Sequence, residues 1–396
     1  MLVSLPLALL LLSQNFTQRG FVESRTTLYP ETAVNDSSHA VEEMQVRYEG
    51  FYRPHLDFQI AAGFDLRTDT HRQTERDWRF DWKDRERKRP LLSLRRLSTQ
   101  YHHKGFTLET GKQFVRWGRT DIVNPTDRFA PRDYLTVVDN EFLGIDAVRG
   151  TYERGSNTVD VVWSPRLTPS RVPLLTQRWS FPPAPTPAFG IARVLPEGSQ
   201  YGIRWSHAGL VEFAGAYYSG FSHVPSYEPV PGLPLVREFY PEQHMIGGDV
   251  AVPLRWLSMK TEAGYFTSGD TRANEHVLYV IQLEKQAGEW FFVGGYGGDV
   301  VTRWGAQRSD FNPDRGMTRT ILGRAGYTID PGRSIAFETA VRDNGRGMWA
   351  KTEYSQAFGL HWRVTAGLSL IQGEASDFLG QYRRNSHGLI AVKYSF

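Results

Sequence analysis

Between residues 56 and 67 the chain reads LDFQIAAGFDLR. Leu56, Phe58, Ile60, Ala62, Phe64 and Leu66 share one parity, and Asp57, Gln59, Asp65 and Arg67 share the other. Residues 359–373, GLHWRVTAGLSLIQG, repeat the pattern: Leu360, Trp362, Val364, Ala366, Leu368 and Leu370 oppose His361, Arg363, Thr365 and Ser369. A period of two marks an extended strand with unlike faces, because successive side chains leave a strand on opposite sides. Stretches 44–52, 257–267, 277–284, 321–329 and 335–342 alternate in the same way. The last eleven residues, SHGLIAVKYSF, place Ile390, Val392, Tyr394 and Phe396 opposite His387, Lys393 and Ser395. No segment longer than two turns carries a helical period of 3.6. The chain is therefore all-β.

Alternation alone suits a soluble sandwich as well as a membrane wall. The charges decide between them. Arg47, Arg204, Glu212, Lys260, Glu262, Arg324, Glu338, Lys351, Glu353, Arg363 and Lys393 all sit in mid-strand on the polar parity. A dry sandwich core would bear the cost of burying them, whereas a wide, wet lumen would not. Mean hydropathy is −0.43 although 13% of the residues are aromatic. The longest apolar run, LPLALLLL at 5–12, falls well short of the roughly 20 residues of a spanning helix. A polar chain rich in Trp and Tyr fits a transmembrane antiparallel β-barrel, apolar at every second position and girdled by aromatics at its rims.

The connectors support this reading. Short ones lie near 53–55, 103–104, 155–156, 208–209, 253–254, 286–288, 330–333 and 358–359. Between them lie longer ones at 69–90, 117–143, 165–198, 220–241, 268–275, 299–317, 343–346 and 373–385. Such barrels have short periplasmic turns and long extracellular loops. From Ala40 onward the pattern predicts 17 strands, of which the first descends. An ascending partner at 21–29 completes an even count of about 18, with 16 as the alternative. The opening MLVSLPLALLLLSQNFTQRG, residues 1–20, reads as a secretory leader without a leading Lys or Arg, before one barrel domain over 21–396. The absence of Cys excludes a disulfide framework and thiolate metal sites, and suits passage through an oxidising periplasm. With 46 Lys+Arg against 43 Asp+Glu, evenly mixed, no nucleic-acid stripe exists.

The most distinctive stretch is GKQFVRWGRTDIVNPTDRFAPRDY, residues 111–134. It carries Asp121, Asn124, Asp127 and Asp133 beside Arg116, Arg119, Arg128 and Arg132, with Pro125 and Pro131 barring a strand. NPTD and PRDY read as Asx-type turns. Two readings of this third loop are compatible. It folds inward and sets Asp and Arg groups across the lumen as a constriction, or its ion pairs pin it to the wall. GKQFVRWG…NPTD resembles the G-[RK]-Q-x-x-x-W-G…N-P-x-D pattern of a family of Gram-negative outer-membrane porin-like barrels. The architecture is also similar to that of alginate-export barrels. The resemblance implies a channel in the bacterial outer membrane. It further implies that the terminal strand, with Val392, Tyr394 and Phe396, is read by the outer-membrane assembly machinery.

Loop 69–90 holds eight Lys/Arg and six Asp/Glu, with Trp78, Phe80 and Trp82 at alternate positions. This predicts an upward-continuing hairpin with RFDWKD near its tip, solvated and self-paired or in contact with lipopolysaccharide phosphates. The Pro-rich stretch 178–190 reads as a lid or an external contact. His102 and His103 are adjacent and so point to opposite faces; the other histidines show no HxH or HExxH spacing. Neither a catalytic constellation, a metal site nor a cofactor motif is evident, and the expectation is not an enzyme. The expected function is passive diffusion of small hydrophilic solutes, weakly favouring anions. Outer-membrane lipid is the expected surround, and a homo-oligomer or a periplasmic partner remains compatible. The rival readings are a barrel sheathing an exported polymer or redox partner, and a structural or adhesive barrel acting through its loops.

Overall fold

The computed structural model describes residues 15–121, 123–180, 190–306 and 312–396. Eighteen antiparallel strands form one closed barrel. The first six are β1 (Phe16–Leu28), β2 (Ala40–His55), β3 (Phe58–Asp69), β4 (Leu92–His103), β5 (Phe106–Gln113) and β6 (Ile145–Arg154). Next come β7 (Asn157–Ser164), β8 (Gln200–His207), β9 (Glu212–Phe221), β10 (Glu242–Pro253), β11 (Ser258–Thr267) and β12 (Glu275–Ala287). The circuit ends with β13 (Trp290–Arg303), β14 (Thr320–Asp330), β15 (Arg333–Arg342), β16 (Gly347–Phe358), β17 (Trp362–Gly373) and β18 (His387–Ser395). Each strand pairs with its sequence neighbours, and β1 pairs with β18 from Leu28↔Gly388 to Phe21↔Ser395. Gly20 and Phe396 exchange backbone hydrogen bonds of 2.9 and 3.0 Å, so pairing runs to the final residue.

The strand count of 18 matches the expectation, but the first boundary moves. Strand β1 opens at Phe16, inside the stretch 1–20 read as a leader. Phe16 to Gly20 pair with Tyr52 to Tyr48. Residues 1–14 lie outside the described residues. The reason is register: β2 is long enough to carry all thirteen residues of β1.

The parity reading holds around the wall. Met44, Ile60, Ile203, Ile246, Ile281, Phe337, Leu368 and Ile390 are exposed on the outside, where lipid tails would meet them. Short turns such as those at Gly105, Gly155, Gly288 and Gly359 join strands at the end assigned to the periplasm, and the long loops rise from the other.

The expected hairpin in loop 69–90 is absent. There Phe80–Asp81 instead pairs in parallel with Leu92–Ser93 of β4, because β5 ends early and leaves that edge open at the extracellular rim. Three short strands, Gly190–Arg193, Ser226–Pro229 and Leu235–Phe239, make a small sheet over the mouth. Of the Pro-rich stretch, residues 181–189 lie outside the described residues.

The seam depends on a close approach. A Cβ at Gly20 would sit 2.5 Å from the Arg47 carbonyl oxygen and 2.6 Å from the Phe396 ring. A Gly20→Val variant should therefore close poorly, lowering the temperature at which the folded band is lost in a heat-modifiability gel. Gly215→Val, whose Cβ would meet nothing within 4 Å, should leave it unchanged.

Candidate functional site

Strands β5, β7 and β8 are among the shortest of the barrel, and loop 114–144 turns inward from the end of β5. Inside, Val115, Trp117 and Phe129 of the loop pack on Ile145, Ala147, Val162, Ala216, Tyr218, Met245, Phe266 and Leu278 of the wall. Trp117 meets Phe129 edge-on at 5.3 Å and Phe129 meets Tyr218 at 5.1 Å. Gly202 on β8 allows this approach, since a Cβ there would lie 2.5 Å from both the Trp117 and Phe129 rings. Apolar burial of this kind, at roughly 25 cal/mol per Å², holds the loop against one side of the lumen.

Wall carboxylates then fix the loop backbone. Glu262 accepts from Thr126 N and Oγ1 at 2.8 Å each, from Arg119 N at 2.8 Å, and from Thr120 N and Oγ1 at 3.2 and 3.1 Å. Asp249 binds Arg119 and Arg204 at 2.7 Å each, and Glu212 takes another nitrogen of Arg119. Asp160 accepts from the Trp117 indole at 3.0 Å and from Arg149. Gln282 clasps Asp121, accepting from its N–H at 3.0 Å and donating to its carboxylate at 2.8 Å.

The predicted loop residues therefore divide. Asp127 is buried and accepts from Trp117 N and Gly118 N at 2.6 Å each, closing the NPTD turn on its own strand. Asn124 donates to the Thr120 carbonyl and accepts from Arg132 at 2.9 Å, so its side chain makes a contact other than the Asx turn expected. Arg128 donates to the Asn124 carbonyl and stacks over Phe266. Asp133 makes the expected Asx-type contact, accepting from Leu135 N, and also binds Arg89 at 2.9 Å and Arg171 at 3.3 Å. These four are spent inside the loop or against its neighbours. Asp121 and Arg132, by contrast, line a cavity of about 290 Å³ together with Asp139, Arg324, Glu338 and Lys351. Trp349, Phe378, Leu322 and Val137 form its apolar side.

The other predicted lumen charges face inward and are mostly paired: Arg324 with Glu338 at 3.1 Å, Lys351 with Glu353 at 3.1 Å, Lys260 with Glu284 at 2.6 Å and Lys393 with Glu23 at 2.8 Å. Arg363 donates to Ser355. Arg47 grips Asp65 through two nitrogens at 2.7 and 2.8 Å. Val392 and Phe396 face outward, and Tyr394 lies 5.0 Å from Trp362.

Sequence reasoning missed a second set. Glu141, on the loop's return, accepts from Arg47 at 2.9 Å, Arg67 at 2.7 Å and Arg95 at 3.2 Å. Buried Lys112, Asp84, Arg171, Asp133 and Arg89 form a continuous ion chain that ties three loops to β5. Nothing local in the sequence marks these pairs, since their members lie 28 to 94 residues apart. A smaller cavity of about 80 Å³ shares Asp139 and Lys351 with the larger one and reaches Arg25, Arg67 and His71. Among the described residues no group of His, Asp and Glu could hold a metal ion.

Burial alone would raise the Asp84 and Asp133 carboxyls. Arg171 and Lys112 around the first, and Arg89 and Arg171 around the second, hold both below the ordinary carboxylate range. With folded values depressed, their stabilisation is complete above the unfolded pKa of about 4 and is lost as pH falls through the folded values.

No family model matches the chain, and no curated protein does. The motif resemblance thus rests on residues 111–134. Solved structures do match across the whole chain. OccAB3 of Acinetobacter baumannii is 10% identical with a TM-score of 0.57, covering 97% of this chain and 99% of that one. A BenF-like porin from Pseudomonas fluorescens Pf-5 is 10% identical with a TM-score of 0.58, covering 96% and 97%. OccK5 of Pseudomonas aeruginosa is 8% identical with a TM-score of 0.54, covering 97% and 98%. At such identities the likeness is one of fold: a closed 18-strand antiparallel barrel.

Asp127→Ala should orphan two buried N–H groups, at about 1–3 kcal/mol each, and turn steady single-channel current into flickering steps. Acidification from about pH 7 to about pH 4 should keep amide hydrogen-exchange protection around Asp84, Arg89 and Asp133, with protection lost only below the unfolded carboxylate pKa of about 4 as the ion chain is protonated. Loss of that protection already at about pH 5 would contradict the assigned pairing.

Proposed function

We propose that the barrel is a passive channel for small hydrophilic solutes, narrowed by loop 114–144 and weakly favouring anions. The observation that supports this best is the cavity of about 290 Å³ between the loop tip and strands β13–β16, where charges of both signs face one another. Arg132, Arg324 and Lys351 on its surface stand against Asp121, Asp139 and Glu338. Opposed charges lower the entry barrier for a polar solute while holding it loosely, as conduction requires. The smaller cavity carries more cations than carboxylates, since Arg25, Arg67, Arg89 and Lys351 line it with Glu43, Asp139 and Glu141. That excess supports a modest anion preference. Partial pairing keeps it modest. Sheathing an exported polymer has less support, because loop 114–144 is anchored inside the barrel by Asp160, Asp249 and Glu262, where such a polymer would pass.

Reversal potential under a salt gradient in a planar bilayer tests this reading. The native channel should show weak anion selectivity. Arg132→Gln combined with Arg324→Gln should move the reversal potential toward cations, and Asp121→Asn should move it the other way. Arg333→Gln, on a periplasmic turn and paired with Asp330, should do neither. An unchanged reversal potential in all three would remove the constriction from this site.

A further inference from the structure

Loop 69–90 is not absorbed by the channel, yet part of it is built into the wall. Phe80 pairs with Leu92, which pairs with Leu66; Asp81 pairs with Ser93, which pairs with Asp65. Residues paired across a sheet share a face, so Phe80 points outward with Leu66 and Asp81 inward with Asp65. The Phe80 ring lies 6.3 Å from Phe64, another outward residue of β3. Trp78 and Trp82 flank this two-residue strand. Trp78, Phe80 and Trp82 are 83, 49 and 48% exposed, whereas Asp81 is buried.

Phe80 thus extends the lipid-facing wall at the extracellular rim, between exposed Trp78 and Trp82, where amphipathic rings favour the headgroup level. Cations border it. Lys83 lies over the Trp82 ring at 5.4 Å, and Arg166 reaches the same ring at 5.1 Å. Arg79 is engaged by Glu75 and Glu86, and Arg166 by Asp146. Among the described residues, exposed Arg76 and Lys83 have no carboxylate partner, and the nearby acid Asp77 has no cationic one. A loop that presents three exposed rings beside two unpaired cations at the rim is complementary to an amphiphile bearing phosphate.

We propose that Trp78, Phe80 and Trp82, with Arg76 and Lys83, form a docking surface for a phosphorylated glycolipid of the outer leaflet. The rings pack against its acyl chains and sugar, and the two cations bind its phosphate. A loop built only for solvent would have no reason to hold Phe80 in register with the wall between two exposed tryptophans.

The test uses the whole refolded barrel, stripped of lipid in detergent, with native mass spectrometry as readout. The probes are purified bisphosphorylated lipid A and the same lipid with its phosphates removed. The native chain should retain the phosphorylated form at least about tenfold better, the change that roughly 1.4 kcal/mol of added affinity produces. Arg76→Gln with Lys83→Gln should abolish that difference while retaining weak binding of both. Trp78→Ala with Trp82→Ala should weaken both forms. Heat-modifiability and bilayer conductance, unchanged in each variant, show that the barrel and channel remain intact. Equal retention of the two lipids by the native chain, or an unaltered difference in the Arg76/Lys83 variant, overturns the proposal.

Discussion

Backbone hydrogen bonding in hydrocarbon is the constraint on which everything else in this molecule rests. Each unpaired N–H or carbonyl facing lipid costs several kcal/mol, so a sheet that spans a membrane must have no free edge. The β1–β18 ladder meets that demand, and its last bonds are made by Gly20 and Phe396. Closure divides side chains into two environments at every second position. It also encloses a lumen lined with arginines and carboxylates, which only water, solute or the protein's own chain can occupy.

Loop 114–144 is that chain, and its placement solves two problems at once. An irregular segment carries backbone donors that no ladder satisfies. The inward carboxylate of Glu262 supplies acceptors for three of them, and Asp127 supplies acceptors for two more. A carboxylate buried among N–H donors is in turn relieved of much of its desolvation cost. The apolar cluster around Phe129 and Tyr218 adds packing to this polar clamp. The loop is therefore held by both, on the β6–β12 side of the barrel.

The fold was legible because one face of each strand must be apolar and the other wet. Leu56 to Arg67 and Gly359 to Gly373 display this without help from any distant residue. Where the inward face also packs against protein, alternation weakens. Tyr218, Met245, Phe266 and Leu278 are inward and ringed or apolar, although 257–267 and 277–284 still alternate along most of their length. Such residues on the otherwise polar parity were the available signal for an inward loop. The hairpin expected at 69–90 failed for a different reason. Only Phe80 and Asp81 take up an outward and an inward side, and their partner strand is β4 in parallel rather than the loop's own return. The ion pairs of Asp84, Asp133 and Glu141 join segments far apart in sequence, and no local pattern encodes them.

The distinction between charges that hold and charges that face the passage bears on how selectivity should be read. A net charge of +3, or a tally of inward arginines, counts every charge equally. Arg204, Glu212, Asp249 and Glu262 are paired with the loop or with one another, and their fields largely cancel at short range. Arg132, Arg324 and Lys351, with Asp121, Asp139 and Glu338, remain at a cavity surface where a solute can replace water around them. Under the proposed function, these charges, the apolar flank and the fixed loop would define the passage. Its preference would then depend on this small subset, and the larger paired set determines how firmly the loop is held.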